Sequence, residues 1–393
     1  PVTECITGLD LVELMIRVAA GEKLPLEQKD VQRNGWAIEC RINAEDPFRS
    51  FLPSTGRLVR FQPPKQTMFA ADTSLLSGVR VDTGVQDGGE IPMYYDSMIA
   101  KLIVHGKDRL DAIAKMREAL NGFVIRGISS NIPFQAALLA HPKFVAGDFN
   151  TGFIAENYAQ GFRAEDVPHD DPDFLVALAA YVNRRMLGRA AGISGQLPGH
   201  GVTVGEEFVV IGLGAGGRNT PQAVLVRDYQ AHTEDQGGSS RVETGANSYE
   251  ICSNWHLGGA RIRGTVNGQP FAAQVERGVG HGLVKNPLAI RIIHNGTRLD
   301  ALVLSPRAAE LYALMPFKAP PDMSRYVLSP MPGLLVEVAV QPGQKVQAGE
   351  RVAVIEAMKM ENVLFAAADG VVGKVLAAKG ESLAVDQPIV EFA

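Results

Sequence analysis

The chain has 393 residues, 21% of them charged, and a formal net charge of −5. This length predicts two to three domains, and the weakly acidic balance excludes the basic stripe of a nucleic-acid-binding protein. No apolar run approaches the roughly 18 residues of a membrane-spanning helix. Three widely spaced cysteines favour a reducing compartment and no zinc site. We therefore expect a protein of the cytoplasm, or of the mitochondrial matrix in a eukaryote, without nucleic-acid or membrane partners.

The first 160 residues have an α+β pattern. Apolar residues on one face predict helices at 9–18 and 109–120, and alternating or apolar runs predict strands between them. These strands are expected at 37–42, 56–61, 78–83 and 98–104. The chain opens on Pro1 without an initiator methionine or a targeting signal. We interpret it as the C-terminal portion of a longer polypeptide, whose sheet has partners before Pro1.

Two motifs in this part carry chemistry, Glu-Cys-Arg-Ile-Asn-Ala-Glu-Asp-Pro at 39–47 and Tyr-Tyr-Asp-Ser-Met at 94–98. On pattern alone, Arg41 could equally form a buried ion pair with Glu39 or Glu45. Together with Phe-Leu-Pro-Ser-Thr-Gly at 51–56, the motifs resemble the C-terminal part of a biotin carboxylase, an ATP-grasp enzyme, over residues 1–162.

The resemblance implies that Arg41 faces the ureido ring of biotin. There it would stabilise the enolate-like charge that develops when the ureido nitrogen loses its proton, a task suited to a planar, always-charged side chain. It also implies that the ATP-binding lobes, the metal-binding carboxylates and the catalytic glutamate lie before Pro1. We therefore expect no carboxylase activity from this chain alone. Residues 66–77 are longer than in compact bacterial enzymes and are interpreted as a surface loop without an assigned role.

The middle of the chain begins with a Pro/Asp-rich hinge at 166–173 and a helix predicted at 174–187. Asn267-Gly268 and Asn295-Gly296 stand between alternating runs and predict tight type I′ hairpins. One helix with seven or so antiparallel strands indicates a barrel wrapped against a helix. These strands are expected at 205–212, 222–228, 248–253, 260–266, 271–275, 288–294 and 298–304.

This middle segment resembles the linking domain of propionyl-CoA carboxylase α subunits. It has no convergent catalytic side chains, which favours a scaffold that docks a carboxyltransferase β subunit; a passive spacer is the alternative. The glycine-rich stretch 212–217 matches a dinucleotide-binding loop, but Pro221 follows where a helix would have to begin. We interpret that stretch as an inter-strand loop, Asn295-Gly296-Thr297 as a turn rather than a glycosylation site, and the histidines as lacking metal-ligand spacing.

The last 65 residues contain an internal repeat at a shift of 37 positions, in which Gly333 aligns with Gly370 and Gly343 with Gly380. Each half alternates as a half-buried strand does, so the repeat predicts a flattened β-barrel with a pseudo-two-fold axis. Lys359, in Ala-Met-Lys-Met at 357–360, is predicted at the tip of the hairpin that joins the halves. A lysine that is to be acylated must protrude, because burial would depress the pKa of its amine and hide it.

Ala-Met-Lys-Met, with Ser-Pro-Met-Pro-Gly at 329–333, resembles the biotin attachment site of biotin-dependent carboxylases. Lipoyl domains share the architecture but usually carry Asp-Lys-Ala, so Met-Lys-Met favours biotin; a solvated surface lysine is the other reading. The resemblance implies that Lys359 is the biotinyl-lysine, modified by a biotin protein ligase.

The whole chain is thus expected to be a multidomain α+β protein. It would comprise the C-terminal lobe of an ATP-grasp biotin carboxylase (1–162), a helix-plus-antiparallel-β-barrel linking domain (163–315), a Pro-rich tether (316–326) and a flattened β-barrel biotinyl domain (327–393). The resemblance to propionyl-CoA carboxylase α subunits implies a hetero-oligomer in which ATP, bicarbonate and Mg²⁺ support carboxylation of biotin on Lys359. The β subunit would then convert propionyl-CoA to methylmalonyl-CoA.

Three alternatives stay open at this stage. The substrate could instead be methylcrotonyl-CoA or acetyl-CoA. A biotin-dependent decarboxylase is disfavoured by the motif at 39–47, and the chain alone could be a non-catalytic carrier and docking module.

Overall fold

The chain folds into two compact units. The first comprises residues 1–116, 125–166 and 319–393, and the second comprises residues 117–124 and 167–318. Each unit is described by itself below. The computed structural model describes residues 1–67, 78–167, 169–197, 199–214, 217–218, 221–228, 238–245, 247–281, 284–316, 323, 325–357 and 360–393. Most of the predicted loop at 66–77 and most of the predicted tether lie outside these ranges, and the four-part division of the chain stays a prediction.

The N-terminal part of the chain is α+β, as its sequence pattern predicted. Its helices are α1 (Val2–Thr7), α2 (Leu11–Ala19), α3 (Arg109–Asn121), α4 (Ile132–Ala140), α5 (Pro142–Ala146) and α6 (Phe153–Asn157). Its strands are β1 (Trp36–Asn43), β2 (Glu45–Asp46), β3 (Leu52–Pro53), β4 (Gly56–Arg57), β5 (Arg60–Gln62), β6 (Gly78–Thr83), β7 (Glu90–Ile91), β8 (Met98–Gly106) and β9 (Val124–Arg126). The helices predicted at 9–18 and 109–120 are therefore confirmed as α2 and α3.

Strand β8 is the centre of a three-stranded antiparallel sheet, between β1 and β6. Nearly all of its residues are buried, because both faces of the central strand are covered, and this explains its apolar sequence. The register places Arg41 of β1 opposite Lys101 of β8. The sheet therefore gives the Arg41 backbone a rigid support.

The second unit is built on helix α7 (Pro172–Ala191), whose first turn is capped by the Asp171 carboxylate, which accepts from the backbone N–H of Phe174. All nine residues from Phe174 to Val182 are buried. An amphipathic surface helix buries only one face, so burial all round requires neighbours on every side. The strands of the unit supply these neighbours.

The unit's other elements are β10 (Glu207–Gly214), β11 (Gly217–Arg218), β12 (Gln222–Asp228), β13 (Gly238–Thr244), β14 (Asn247–Ser253), β15 (Arg261–Val266), β16 (Gln269–Arg277), β17 (Gly280–His281), β18 (Val284–Lys285), β19 (Ala289–His294), β20 (Thr297–Leu304) and α8 (Pro306–Ala313). Of these strands, β10, β12–β14, β19 and β20 contact α7.

Strands β10, β12–β16, β19 and β20 form an antiparallel barrel that closes through the pairing of β10 with β20. This confirms the predicted barrel against a helix. Asn267 and Asn295 have φ values of 49° and 50°, and the glycine after each also has a positive φ, so both Asn-Gly hairpins are of the predicted type. Of the glycine-rich stretch 212–217, residues 212–214 end β10 and Gly217 begins β11, and these strands pair antiparallel, so the predicted inter-strand loop is strand at these positions. Residues 215–216 lie outside the described residues.

Strand β13 was missed by the sequence pattern, and its chemistry explains why. It reads Gly-Ser-Ser-Arg-Val-Glu-Thr, without an apolar alternation. Ser239 and Ser240 are nevertheless buried, and the Ser240 hydroxyl donates to Asp228 Oδ1 over 2.7 Å. A polar strand is stable inside this unit because its neighbour satisfies the buried hydroxyl.

Two histidines in the second unit meet ring to ring. The backbone N–H of Asp171 donates to His169 Nδ1 over 3.0 Å, so the His169 proton sits on Nε2 and donates to His294 Nδ1 over 2.7 Å. Burial, His169 and the nearby Arg117 lower the pKa of His294 to about 4, against the opposing charge of Asp170. Burial likewise lowers the pKa of His169. Neither ring accepts a proton without losing its hydrogen bond.

This pair predicts acid sensitivity of the second unit. Both histidines have an ordinary pKa near 6.5 in the unfolded chain. Below that pH the unfolded state therefore binds more protons than the folded state, in which both pKa values are lowered. Through His294 alone, the free energy of unfolding should fall by up to about 2 kcal/mol between pH 6.5 and pH 5. Melting is followed by the fluorescence of buried Trp255 in a Trp36→Phe background. His294→Asn should flatten the dependence, and an unchanged slope in that variant would contradict the assignment.

The C-terminal residues form eight strands, β21 (Tyr326–Leu328), β22 (Gly333–Val338), β23 (Lys345–Val346), β24 (Arg351–Ala357), β25 (Met360–Phe365), β26 (Gly370–Val375), β27 (Ser382–Leu383) and β28 (Pro388–Phe392). They make two four-stranded antiparallel sheets, in the orders β21-β28-β26-β23 and β25-β24-β22-β27. The predicted repeat is confirmed, because β22 and β26 start and end 37 positions apart, as do β23 and β27. The turns repeat too, with φ values of 83° at Gly343 and 87° at Gly380.

None of the helices within the described ranges has the length and apolarity needed to cross a membrane.

Candidate functional site

Arg41 lies on β1 with its side chain 69% exposed. Its Nε atom is 3.4 Å from Oε1 of Glu39, two positions earlier on the same strand. The suggested ion pair with Glu39 is therefore present, but it is not buried, because the Arg41 side chain is exposed. An exposed pair at this distance contributes at most about 1 kcal/mol. Glu45, the other suggested partner, instead accepts hydrogen bonds from Ser97 and Asn43. The Arg41 guanidinium is accessible to a ligand in solution.

A buried asparagine holds the backbone beneath Arg41. Asn131 Nδ2 donates to the Arg41 carbonyl over 3.0 Å, and its Oδ1 accepts from the backbone N–H of Asn43 over 2.9 Å. The Asn131 side chain is itself buried, so both bonds are sheltered from water. Asn131 follows Arg41 by 90 residues, and the sequence reasoning missed it, because no local pattern marks a side chain that caps a distant strand.

The two motifs singled out in the sequence meet at Glu45. The Ser97 hydroxyl donates to the Glu45 carboxylate, and Asn43 Nδ2 donates to the same oxygen over 3.1 Å. The backbone N–H of Ala44 also donates to the Ser97 carbonyl over 2.7 Å. Glu45 thus joins the segment after β1 to the segment before β8 and is a structural carboxylate in this arrangement.

Cys40, next to Arg41, faces the core. Its burial, followed by the charge of Glu39, raises the pKa of the thiol to about 12. The thiol therefore stays protonated near neutral pH and is a poor nucleophile. Over the ranges that the structure describes, no three His, Cys, Asp or Glu side chains are grouped so that they could hold a metal ion.

The hairpin predicted to carry Lys359 is formed by β24 and β25, which pair from Arg351 with Phe365 to Ala357 with Met360. Lys359 and Met358 lie outside the described residues. Ile355 and Ala357 are buried at the base of the hairpin, whereas Glu356 and Met360 are exposed. The hairpin is therefore anchored in the core of the barrel up to the last described pair before its tip.

The Ser-Pro-Met-Pro-Gly motif at 329–333 packs beside this hairpin. A methyl group at Gly333 would lie 2.6 Å from Ile355 Cγ2 and 2.7 Å from the Glu356 carbonyl oxygen, so only glycine fits. Ser329 is fully buried, and its hydroxyl donates to the Met331 carbonyl over 2.6 Å. The motif therefore supports the hairpin although it precedes Lys359 by 26 residues.

Models of three protein families match successive parts of the chain. The model of the biotin carboxylase C-terminal domain matches residues 39–156. The model of the propionyl-coenzyme A carboxylase BT domain matches residues 175–318, and a biotin-requiring enzyme model matches residues 325–392.

Three curated relatives show the extent of the similarity. The propionyl-CoA carboxylase alpha chain of Ruegeria pomeroyi is 45% identical over 404 residues, which cover 100% of this chain and 56% of that protein. The mitochondrial propionyl-CoA carboxylase alpha chain of Homo sapiens is 36% identical over 397 residues, 100% of this chain and 51% of that protein. Biotin carboxylase 1 of Bacillus subtilis is 51% identical over 154 residues, 39% of this chain and 32% of that protein.

The chain spans about half the length of the curated propionyl-CoA carboxylase relatives it matches. Over its whole length it is similar to propionyl-CoA carboxylase alpha chains, and successive parts of it match the models of the biotin carboxylase C-terminal domain, the propionyl-coenzyme A carboxylase BT domain and the biotin-requiring enzymes.

Proposed function

We propose that this chain functions in the α subunit of a biotin-dependent acyl-CoA carboxylase that forms methylmalonyl-CoA from propionyl-CoA. The observation that carries the proposal is the presence, in one chain, of an exposed Arg41 on a supported strand and of a core-anchored hairpin whose sequence is Ala-Met-Lys-Met. ATP, bicarbonate and Mg²⁺ are the co-reactants expected for the whole subunit. As the relatives include bacterial and mitochondrial chains, the cytoplasm or the mitochondrial matrix is its proposed location.

Arg41 is suited to stabilise negative charge on the ureido oxygen of biotin. Its guanidinium is always charged, offers a planar fork of donors, and is exposed, with Oε1 of Glu39 3.4 Å from its Nε atom. Its backbone is held by Asn131 and by the pairing with β8. A donor fixed before the reaction needs no reorganisation when charge develops, which is the condition for electrostatic catalysis. Arg41 thus binds and orients the ring in this proposal.

Lys359 is the proposed attachment residue for biotin. When bound, biotin supplies the ureido nitrogen that carries the carboxyl group between two active sites. The residues around the tip fit this group, because the hairpin base is buried at Ile355 and Ala357 while Met360 is 48% exposed. A biotin protein ligase is the proposed modifying enzyme, and the exposed Glu356 and Met360 are accessible to it.

The second unit is the proposed docking site for a carboxyltransferase β subunit in a hetero-oligomer. Residues of α7 pack into the core of its barrel together with residues of the surrounding strands. Past the end of α7, three apolar side chains are exposed, Ile193, Leu197 and Val202, and Leu197 is 71% exposed. The three residues are close together in the sequence, and an exposed apolar patch is typical of a protein–protein interface.

The docking role predicts that Leu197→Glu abolishes capture of the chain by an immobilised β subunit. A charge in an apolar interface costs several kcal/mol once it is desolvated without a partner, which corresponds to a loss of binding of about 100-fold or more. The matched control is Leu376→Glu in the biotinyl domain, at a side chain that is also exposed, and it should bind normally. Normal capture of the Leu197 variant would contradict the docking surface.

The activity itself is tested on the assembled α–β enzyme with propionyl-CoA, acetyl-CoA and methylcrotonyl-CoA. We expect ATP- and bicarbonate-dependent carboxylation that is fastest with propionyl-CoA and is stopped by avidin. Preference for another acyl-CoA would change the substrate, and no carboxylation of any of them would refute the proposal.

A further inference from the structure

The loop that follows the Arg41 strand, residues 46–52, is anchored on its inner side by two aromatic rings. Phe48 stacks on Phe162 with ring centroids 5.3 Å apart, and Phe51 meets the edge of Phe134 at 4.9 Å. The two ends of the loop pair with each other as Asp46 with Leu52. The loop is therefore a closed, packed element at the end of β1 rather than a loose connection.

The backbone of this loop is strained. Ser50 and Phe51 are consecutive non-glycine residues with φ values of 55° and 59°, in the left-handed region that a bulky side chain rarely adopts. Such strain persists only where the surroundings over-determine it, and it concentrates at functional positions. In this loop, the left-handed backbone at Ser50 and Phe51 lets the Phe51 ring contact Phe134, while the adjacent Leu52 packs against the core cluster of the C-terminal barrel.

Arg49 and Leu52 contact the biotinyl domain, which belongs to the same compact unit. Arg49 Nη2 lies 2.8 Å from Asp386 Oδ1, and Leu52 packs against the biotinyl core cluster that includes Met331, Leu335 and Ala357. A polar and an apolar contact therefore coincide on one loop.

Asp386 is itself unusual. In the internal repeat its counterpart is Gly349, which has a φ of 81°, yet Asp386 keeps the left-handed conformation with a φ of 61°. Glycine would adopt this conformation without strain. The aspartate instead places a carboxylate at the turn, and that carboxylate meets Arg49.

Asp386 lies at the end of the barrel from which the Lys359 hairpin extends. Gly333 lies beside Ala357 of the hairpin and pairs with Leu383. The chain then continues to Asp386, whose backbone N–H donates to the Ser329 carbonyl over 2.8 Å, within the motif that supports the hairpin.

We propose that the loop 46–52 is the docking surface on which the biotinyl domain rests for biotin carboxylation. Arg49 and Leu52 act as positioning residues, and Asp386 is their partner on the carrier. The inference deepens the proposed function and rests on it. An exposed ion pair is weak, but a tethered domain is present at high effective concentration, so a weak contact orients it and still allows its release.

The contact is first tested without reference to activity. In Arg49→Lys, a carbodiimide should join the new amine to the Asp386 carboxylate as an amide, with the carbodiimide taking up the water. Peptide mapping of the full chain should find this cross-link, and it should be absent from Arg49→Lys combined with Asp386→Asn. Failure to find it in the single variant would overturn the docking surface.

The role is then tested by charge exchange in the assembled enzyme. Asp386→Arg should lower the rate of carboxylation of the attached biotin by about three- to tenfold, whereas carboxylation of free biotin stays unchanged. Arg49→Asp combined with Asp386→Arg should restore the rate. Asp369→Arg, at the opposite end of the barrel where Asp369 Oδ1 accepts from Ala348, is the control and should have no effect.

Normal carboxylation of attached biotin in Asp386→Arg, or no recovery in the exchanged variant, would overturn the positioning role. Absence of carboxylation of both free and attached biotin in the unmodified enzyme would instead refute the proposed function, and the cross-link would still decide the contact.

Discussion

Lys359→Arg is expected to abolish the single biotin adduct of this chain and to reduce acyl-CoA carboxylation by the assembled enzyme to background. Arginine keeps the positive charge but has no amine that a ligase can acylate under these conditions. The sequence Met-Lys-Met occurs once, so we expect no second acceptor. The expected loss is therefore complete rather than partial.

Intact mass after co-expression with a biotin protein ligase measures the first effect, and fixation of labelled bicarbonate measures the second. The matched control is Lys374→Arg, on the same barrel at β26, which should keep both the adduct and the activity. An adduct that persists in Lys359→Arg would show that another residue carries biotin. An adduct that is lost with carboxylation intact would separate biotin from the activity.

In the full-length subunit, Arg41→Ala is expected to lower kcat for biotin carboxylation by about 100-fold or more while ATP binding stays nearly unchanged. The lost interaction forms with charge that develops on the ring, so the loss belongs mainly in kcat. Arg41→Lys should recover only part of the rate, because an ammonium is a point charge and lacks the planar fork.

Folding provides the internal check for this variant. The exposed contact with Glu39 contributes at most about 1 kcal/mol, so the melting temperature of Arg41→Ala should change little. Arg33→Ala, at an exposed arginine before β1, is the control and should leave the kinetics unchanged. If Arg41→Ala turned over normally, Arg41 would be left with the surface contact to Glu39 as its role.

Local chemistry explains what the sequence alone could determine. Asn-Gly at 267–268 and 295–296 specifies its hairpins because both residues tolerate positive φ, and this preference needs no distant partner. The repeat at a shift of 37 positions predicted the two-fold arrangement of β22–β24 and β26–β28, because alternation of apolar residues is itself a local record of which face is buried. The prediction that Lys359 is the biotin attachment residue likewise rests on the four residues Ala-Met-Lys-Met, and it stays a prediction, because Lys359 lies outside the described residues.

Only the tertiary structure decided how distant segments support the sites. Asn131 reaches back to hold the strand of Arg41, and Ser97 bonds to Glu45 across 52 positions. The approach of Arg49 to Asp386 spans 337 positions. Such contacts depend on how the intervening chain closes and on which polar groups are sheltered from water, and neither is recorded in the neighbours of the residues concerned.

In strand β13 and helix α7, the observed burial differs from what the local sequence pattern indicates. Strand β13 is polar in sequence, yet it is a strand of the barrel, because the buried Ser240 hydroxyl donates to the Asp228 carboxylate. Helix α7 is buried on all sides from Phe174 to Val182, because a closed barrel surrounds it, whereas the sequence predicted the helix without its complete burial. By itself the sequence determined the local elements and predicted the roles of Arg41 and Lys359, since backbone preference and side-chain type are properties of single residues and their neighbours. The support of Arg41, the closure of the barrel and the contact of loop 46–52 with Asp386 were decided by the tertiary structure, because they require surfaces that exist only once distant segments have packed together.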